Sequence, residues 1–416
     1  MKFIVIDSEN TGAQRNKAHW ADRRNRCCTF QFCENNQPPE SLDIEYQEGR
    51  FFDEHIELLK KKIEEADWIV GFNLKYDSLW LLRYGIDIRS KKLWDVQLVF
   101  FIMTFQKFPF PSLNMVAEHY GFEKKLDVVS SEYWDVGLDT DQVPWDILTE
   151  YGEYDVDLTR KCALEQFHEM RKLREDNPNL YTTIRLAMRD MRSLITMEWN
   201  GVAYDRPRSY RRAEELQARI LLLQQRVLEI TGAKEYEINF GSTHQRSILL
   251  YGGVLRWIEK EEYEFLYKDP KKQPVKKLRN VEKSAVLPRQ FNPIPGTEIK
   301  ADFDCWSTDE DTLRKLAARS KEKKEVINCF LEMAKLNKLV STYYLGFPKR
   351  NIDMGWTDDV IHSNLSQTTV VTGRLASSKP NLQNIPAVHK ECFPSSFPVR
   401  KRCRNESMAQ SSKNSQ

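Results

Sequence analysis

The 416-residue sequence lacks an excess of either charge: 63 Lys and Arg face 61 Asp and Glu, a formal net charge of +2. No global basic field announces a polyanionic partner, so any nucleic-acid surface must be local. Long hydrophobic runs are missing as well. The longest, such as Leu98 to Met103, fall far short of the ~20 apolar residues of a membrane-crossing helix, and no membrane partner is expected. The N-terminus enters a strand pattern at once and does not read as a secretory leader. The eight cysteines are scattered. Only Cys27, Cys28 and Cys33 lie close together, with no second ligand pair nearby, which argues against zinc and for buried thiols in a reducing cytoplasm. Internal repeats are absent. What is present, 41% hydrophobic and 30% charged residues, suffices for real cores in roughly two or three domains.

Residues 1 to about 170 alternate strand-like and helix-like segments, the pattern of an α/β or α+β domain. FIVID opens as a strand and CCTFQF (27–32) reads as a second. EHIELLKKKIEEA (54–66) has helical spacing, DWIVGF (67–72) is strand-like, and SLNMVAEHYGF (112–122) is a helix ended by Gly121. A long helical pattern starts at Pro144 and runs to Leu173. From about 180 to 350 the character changes to long amphipathic helices, such as Tyr210 to Ile230 and 323–345. Between them lies a basic insert, with Lys268, Lys271, Lys272, Lys276, Lys277, Arg279 and Lys283 against Asp269 and Glu282. Such a run reads as a solvated loop, or as one that follows a phosphate backbone. Residues 361–386 pass from a β-branched strand pattern into a polar loop, and 399–416 read as a disordered tail.

The acids carry the chemistry. In KFIVIDSENTG (2–12) an apolar run breaks into Asp7 and Glu9, which share one face of a strand because residues i and i+2 point the same way. Alone, such a pair is a solvated strand end. Two more placements add partners: Asn73 and Asp77 are four apart in GFNLKYDSLWLLRYG (71–85), and Tyr151 and Asp155 are four apart in LTEYGEYDVDLTRK (148–161). Residues i and i+4 share a helix face, so each helix offers one carboxylate and one polar helper. Asp157 falls on roughly the opposite face and reads as a solvated acid. Asp7, Glu9, Asp77 and Asp155 together are hard oxygen ligands suited to two Mg²⁺ or Mn²⁺ ions. Two such ions ~3.5–4 Å apart clamp the attacking and leaving oxygens of an in-line phosphoryl displacement. Tyr151, a phenol with an ordinary pKa of ~10, would orient the attacking water.

In this order the three motifs resemble the tyrosine-containing branch of the DEDD 3′–5′ exonucleases, and NLKYD (73–77) is the form found in the proofreading domain of family A DNA polymerases. The resemblance implies a ribonuclease H-like α/β domain with a mixed sheet flanked by helices. It also implies that Glu9 contacts the terminal 3′ hydroxyl and that Tyr76 braces the frayed end, packing being the alternative for Tyr76. Ser8 and Asn10 stand where the family usually has Thr.

The likeness continues through ITMEWNGVAYD (195–205), INFGSTHQRSILLYGG (238–253), STDEDTLRKLA (307–317) and KLNKLVSTYY (335–344), which look like the passage into the thumb and the thumb itself. TGRLASSKPNLQNIP (372–386) closely matches the start of the polymerase palm, with Ala376 where Ser is usual. The domains implied are an exonuclease over 1–175, a mostly helical thumb region over 176–350 with the basic insert at 258–290, a palm beginning over 351–398, and the tail. Primer-template duplex and single-stranded 3′ ends are the implied partners. Arg374 could reach minor-groove acceptors that every base pair presents, with Gln383 and Asn384 on the same edges or on the backbone. Lys338, Ser341 and Thr342 would meet duplex phosphates. A surface salt bridge for Arg374 and helix packing for the apolar members of 338–344 are the plainer readings.

After Phe397 the only acid is Glu406, so a two-metal nucleotide-addition site is not expected in these residues. They look like the front of a polymerase cut short by a frameshift, an intervening sequence or a split gene, and the compact start looks phage-like. A cytoplasmic setting, that of the host if phage-encoded, is expected. The alternative is a non-catalytic DNA-binding fragment, or a subunit that needs a second polypeptide carrying the missing palm and fingers. An RNA-trimming DEDD exonuclease is disfavoured, because those proteins lack the TGRL…PNLQNIP stretch.

Overall fold

The computed structural model describes residues 2–12, 18–124, 128–234, 236–265, 275–294, 305–316, 320–356 and 359–394. The expected disordered tail, the end of HKECFPSSF and the lysine-rich residues 266–274 lie outside them. Two compact units emerge, Met1–Arg206 with Phe347–Gln416, and Pro207–Gly346.

The first unit is organised by a five-stranded mixed sheet in the order β3-β2-β1-β4-β5. Its strands are β1 (Phe3–Asn10), β2 (Cys27–Glu34), β3 (Glu40–Asp43), β4 (Trp68–Gly71) and β5 (Lys92–Asp95). β2 runs antiparallel to β1 and β3, whereas β1, β4 and β5 are parallel. β1 sits at the centre of the sheet with α2 and α5 packed against it, which is why its Phe3-Ile4-Val5-Ile6 run is buried without the alternation of a half-exposed strand. The helices are α1 (Asp53–Glu65), α2 (Leu74–Arg83), α3 (Val96–Met103), α4 (Leu113–His119), α5 (Trp145–Asp176) and α6 (Pro178–Asn200). On α1, Ile56, Leu59 and Ile63 recur at helical spacing and face the core, with Asp53 and Glu54 in the first turn and Lys62 in the last, as the helix dipole favours. Asn177 caps α6 by accepting from the Leu180 N–H, and Pro178 occupies its first turn.

The boundary expected near residue 175 is not a structural division. α6 packs on α2, α3, α5 and β5 through Ile184, Met188, Met191 and Ile195, so it belongs with the first unit. Gly201 then turns the chain at φ 62, where a Cβ would lie 2.4 Å from Val360 Cγ1. That close approach lets β6 (Val202–Ala203) pair with β9 (Val360–Ile361). Beyond β9, β10 (Asn364–Ser366) pairs antiparallel with β11 (Ala376–Ser378), inside the stretch read as a polar loop.

The second unit holds α7 (Arg206–Thr231), α8 (Thr243–Tyr251), α9 (Glu310–Lys315) and α10 (Lys321–Lys338). The described parts of the basic insert form a two-stranded ribbon, β7 (Gly253–Phe265) and β8 (Val275–Leu287). Its charges are met across the strands. Lys283 Nζ lies 2.7 Å from Glu259 and 3.1 Å from Glu261, Lys276 lies 3.2 Å from Glu262, and Lys277 Nζ sits 3.7 Å from the Phe265 ring centroid. The described lysines Lys276 and Lys283 are thus offset by acids of the facing strand. α11 (Gly346–Asp353) follows. Among the described residues no helix is long and apolar enough to cross a membrane.

One buried carboxylate organises the first turns of two helices. Asp95 accepts from the N–H groups of Asn73 (3.1 Å), Leu74 (3.0 Å), Gln97 (2.9 Å) and Leu98 (3.2 Å). Burial pushes its carboxyl up to about 6 while these four donors pull it down. Asp95→Ala orphans buried donors at both helix starts, and should cost about 2–4 kcal/mol. Equilibrium urea unfolding followed by tryptophan fluorescence will show it as a lower midpoint.

Candidate active site

β1 delivers Asp7 and Glu9 to one face, opposite Gln31 and Thr29 of β2 respectively. The register shifts between Glu9 and Asn10, a bulge that ends regular pairing at the second acid. The chain beyond is pinned. Thr140 Oγ1 donates to the Asn10 carbonyl at 2.8 Å, and the Gly12 N–H donates to Asp139 at 2.8 Å. Asp155 arrives from α5, about 150 residues later. One carboxylate oxygen from each of Asp7, Glu9 and Asp155 lies within 4.8 Å of the other two. Glu9 and Asp155 are only 8% and 7% exposed. Three hard oxygen donors at such separations match the donor set of Mg²⁺ or Mn²⁺.

Asp77 stands outside this trio. Its buried carboxylate accepts from Ser8 Oγ at 2.6 Å, and Ser8 is the residue that alternates with Asp7 and Glu9 along β1. α2 thus closes on Ser8, a partner that a reading of acids alone passes over. Burial, and next the charge of Asp7, push the Asp77 carboxyl well above the carboxylate range. Asn73 does not share the helix face with Asp77: it precedes the helix in a left-handed conformation at φ 55, exposed, its N–H engaged by Asp95. Tyr76 packs partly buried against the core, with Asn10 Nδ2 3.4 Å from its hydroxyl. Burial holds its phenol above the usual range, so it stays protonated at neutral pH.

Tyr151 lies one turn before Asp155, 4% exposed, edge-on to Trp134 at 5.7 Å and packed with Cys28, Val129, Val143 and Leu148. Asp157, as its face implies, pairs outward with Arg160 and Lys161. The proposed DNA contacts are all on the surface. Arg374, Gln383 and Asn384 are exposed in the first unit, Gln383 Nε2 donating to the Leu375 carbonyl at 2.8 Å. Lys338, Ser341 and Thr342 are exposed at the end of α10 and the π-turn after it in the second unit.

Two features of the site were not legible as motifs. Gly152 is where α5 touches the sheet: a Cβ there would lie 2.5 Å from Cδ of Gln31, a fully buried side chain that donates to Thr29 Oγ1 at 2.7 Å. The missing side chain lets α5 lie close enough to carry Asp155 to β1. The second is Lys75, whose ammonium lies 2.6 Å from buried Glu198. Glu198 continues the apolar stripe of Ile184, Met188, Met191 and Ile195 on α6, and a charge in that stripe is the signal that a partner must exist.

With this geometry in hand, comparison with known proteins is informative. A family model described as DNA polymerase family A matches residues 284–411. The chain is 26% identical over 349 residues to DNA polymerase I of Helicobacter pylori (strain ATCC 700392 / 26695), covering 83% of this chain and 30% of that protein. It is 23% identical over 351 residues to the DNA polymerase of Bacillus phage SP01, covering 80% and 35%. DNA polymerase I of Bacillus subtilis (strain 168) is 26% identical over 328 residues, covering 78% and 30%. The matched region thus spans about a third of the length of these relatives. Among solved structures, the POL domain of Pol1 from M. smegmatis, in complex with DNA primer-template and dNTP, superposes with a TM-score of 0.60 at 16% identity, covering 94% of this chain and 54% of that one. At that identity the likeness is one of fold.

Two outcomes test the site geometry. Gly152→Ala should destabilise the protein by about 1–3 kcal/mol through overpacking against Gln31, and Gln31→Ala in the same chain should recover much of the loss; thermal melts of the single and double variants check it. For Asp77, the raised carboxyl makes the metal-free folded chain hold this proton more tightly than the unfolded chain does. The stability it contributes is full below the unfolded value of ~3.9 and is lost as pH rises through the raised folded value. Asp77→Asn keeps an acceptor for Ser8 and escapes that loss. In chelator at pH 8 it should melt roughly 2–4 °C above the parent, the shift of about 1 kcal/mol in a protein of this size, and the gap should narrow toward pH 4.

Proposed function

From a chain related to the family A DNA polymerases, we propose that the first unit is a metal-dependent 3′–5′ DNA exonuclease of the DEDD type, the proofreading partner of polymerase thumb and palm elements. One observation carries this: Asp7, Glu9 and Asp155, from a strand end and a distant helix, each bring one carboxylate oxygen to within 4.8 Å of the other two. The mixed five-stranded sheet supports a ribonuclease H-like reading.

Two divalent cations, Mg²⁺ or Mn²⁺, held by Asp7, Glu9 and Asp155 with Asp77 alongside, would supply charge neutralisation at the scissile phosphate and a more acidic attacking water. The protein's own groups do the rest. The Tyr151 hydroxyl orients the attacking water. Glu9 also accepts from the terminal 3′ hydroxyl, and Asn73 and Tyr76, at the start of α2, hold the last nucleotide. A duplex end must fray to enter, so single strands are the better substrate. Exposed Arg374, Gln383 and Asn384, and Lys338, Ser341 and Thr342, are assigned to duplex contacts. The primer-template in the related polymerase structure supports DNA as their ligand.

The test is release of mononucleotides from single-stranded DNA labelled at its 3′ end, with Mg²⁺ and then with chelator. Asp7→Ala should lower the rate by roughly 10²–10³-fold or more, the scale seen when a group stabilising developing charge is removed. Degradation that continues unchanged in purified Asp7→Ala protein would take the carboxylate site out of the mechanism.

A further inference from the structure

Lys75 lies in the first turn of α2, between Asn73 and Asp77, and its ammonium is engaged by Glu198 and Asn364. It lies 2.6 Å from Glu198 Oε1 and donates to Asn364 Oδ1 at 3.0 Å. Both charged side chains are largely enclosed, 12% exposed for Lys75 and 6% for Glu198. The same Glu198 oxygen accepts the Leu365 N–H, and the Glu198 carbonyl meets His362 Nδ1 at 2.8 Å. Three elements distant in sequence, α2, α6 and β10, therefore converge on one carboxylate.

The connection runs further. Ser363 Oγ lies 2.7 Å from Ser377 Oγ, and Ser377 Oγ in turn accepts from the Leu382 N–H at 2.9 Å. Hydrogen bonds, joined by the backbone of residues 362–365, thus connect the first turn of α2 to Ser377 and Leu382, in the stretch that carries Arg374 and Gln383. Beside the clasp is a cavity of about 120 Å³, lined by Asn73, Lys75, Gln97, Asn364, Ser366 and Thr368 among others. Across this gap the start of α2 and residue 364 are bridged by the Lys75 ammonium, which reaches both Glu198 and Asn364.

We propose that the Lys75–Glu198 pair is a positioning element that sets α2, and with it Asp77 and Asn73, relative to the metal carboxylates, and that it takes its own placement from residues 362–365. Lys75 and Glu198 touch neither metal nor substrate; they act through α2. The inference rests on the nuclease reading above. Groups that orient metal ligands from behind typically change metal affinity or activity by ~10–100-fold when altered.

Breaking the pair from one side strands a buried charge and threatens folding, so the informative variant is the double one, Lys75→Met with Glu198→Gln. It removes both charges, and the amide oxygen introduced by Glu198→Gln still accepts from the Leu365 N–H. Mn²⁺ binding to the full chain, followed by the electron paramagnetic resonance signal of free Mn²⁺, is measured for the parent, Asp7→Ala and the double variant, beside thermal melts and exonuclease kinetics. The expected result is a double variant that melts close to the parent, binds Mn²⁺ about 10-fold more weakly, and loses kcat about 10–100-fold with KM for single-stranded DNA little changed. A double variant with parental melting, Mn²⁺ affinity and kcat would overturn the inference while leaving the nuclease reading intact. A parent chain with no Asp7-dependent Mn²⁺ binding would overturn both.

Discussion

Everything at this site answers to one constraint: like charges have been brought together at the end of a strand. Two carboxylates ~4 Å apart repel by about 4 kcal/mol at an effective dielectric near 20, and burial of Glu9, Asp77 and Asp155 raises that further. Protons, cations or donors must offset it. Ser8 supplies a donor to Asp77. Two protein cations that flank the region are committed elsewhere, Arg26 to Asp141 and Lys75 to Glu198. On the proposed reading, divalent cations held by these carboxylates would supply that offset.

The surrounding fold holds those charges against their repulsion. β1 is fixed from both sides, antiparallel to β2 and parallel to β4, and its end is tied down by Thr140 and Asp139. α2 begins on Asp95, which also caps α3, so the helix that carries Asp77 cannot rotate without disturbing a second one. α5 is set by contact at Gly152. Each anchor is a backbone or buried polar interaction rather than an exposed ion pair, as suits a position that must stay fixed while charge and ligand change.

Some of this was legible in the sequence. The apolar run of FIVI, the i, i+2 spacing of Asp7 and Glu9, and the i, i+4 spacing of Tyr151 and Asp155 are local rules of strand and helix, and the structure uses them directly. Asn73 failed as a helix-face residue because it is the residue before the helix, where the backbone turns left-handed; spacing alone does not reveal a cap. The β7–β8 ribbon was hidden because both of its faces meet solvent. Without burial there is no apolar alternation to read, and cross-strand pairs such as Glu262 with Lys276 look in sequence like an undirected mix of charge. Asp95, Gln31 and Glu198 were invisible for another reason: each acts on residues between 2 and 167 positions away, and the partner is set by tertiary packing. Glu198 alone left a trace, as an acid in an apolar stripe.

That same packing explains why the first unit is discontinuous in sequence. His19, Trp20, Trp199, Trp356 and His362 form one aromatic cluster, with Trp20 stacked on Trp199 at 4.5 Å and His362 edge-on to Trp20 at 4.9 Å. His19 Nδ1 receives the Ala21 N–H and the Trp356 indole N–H, a role open only to the neutral ring. Burial, and next the charge of His362, lower its pKa to about 3. His19 thus stays neutral across the working pH range, and the cluster joins the loop before β2 to the end of α6 and to Trp356 and His362. A fragment ending at residue 175 would lose Ile184, Met188, Met191 and Ile195 together with Trp199, Trp356 and the Glu198 clasp. At ~1.5–3 kcal/mol for each large buried side chain, that is comparable to or greater than the roughly 5–15 kcal/mol by which domains are usually stable. Trp356, His362 and Leu365, within the stretch that the polymerase family model matches, are therefore part of what holds the first unit together.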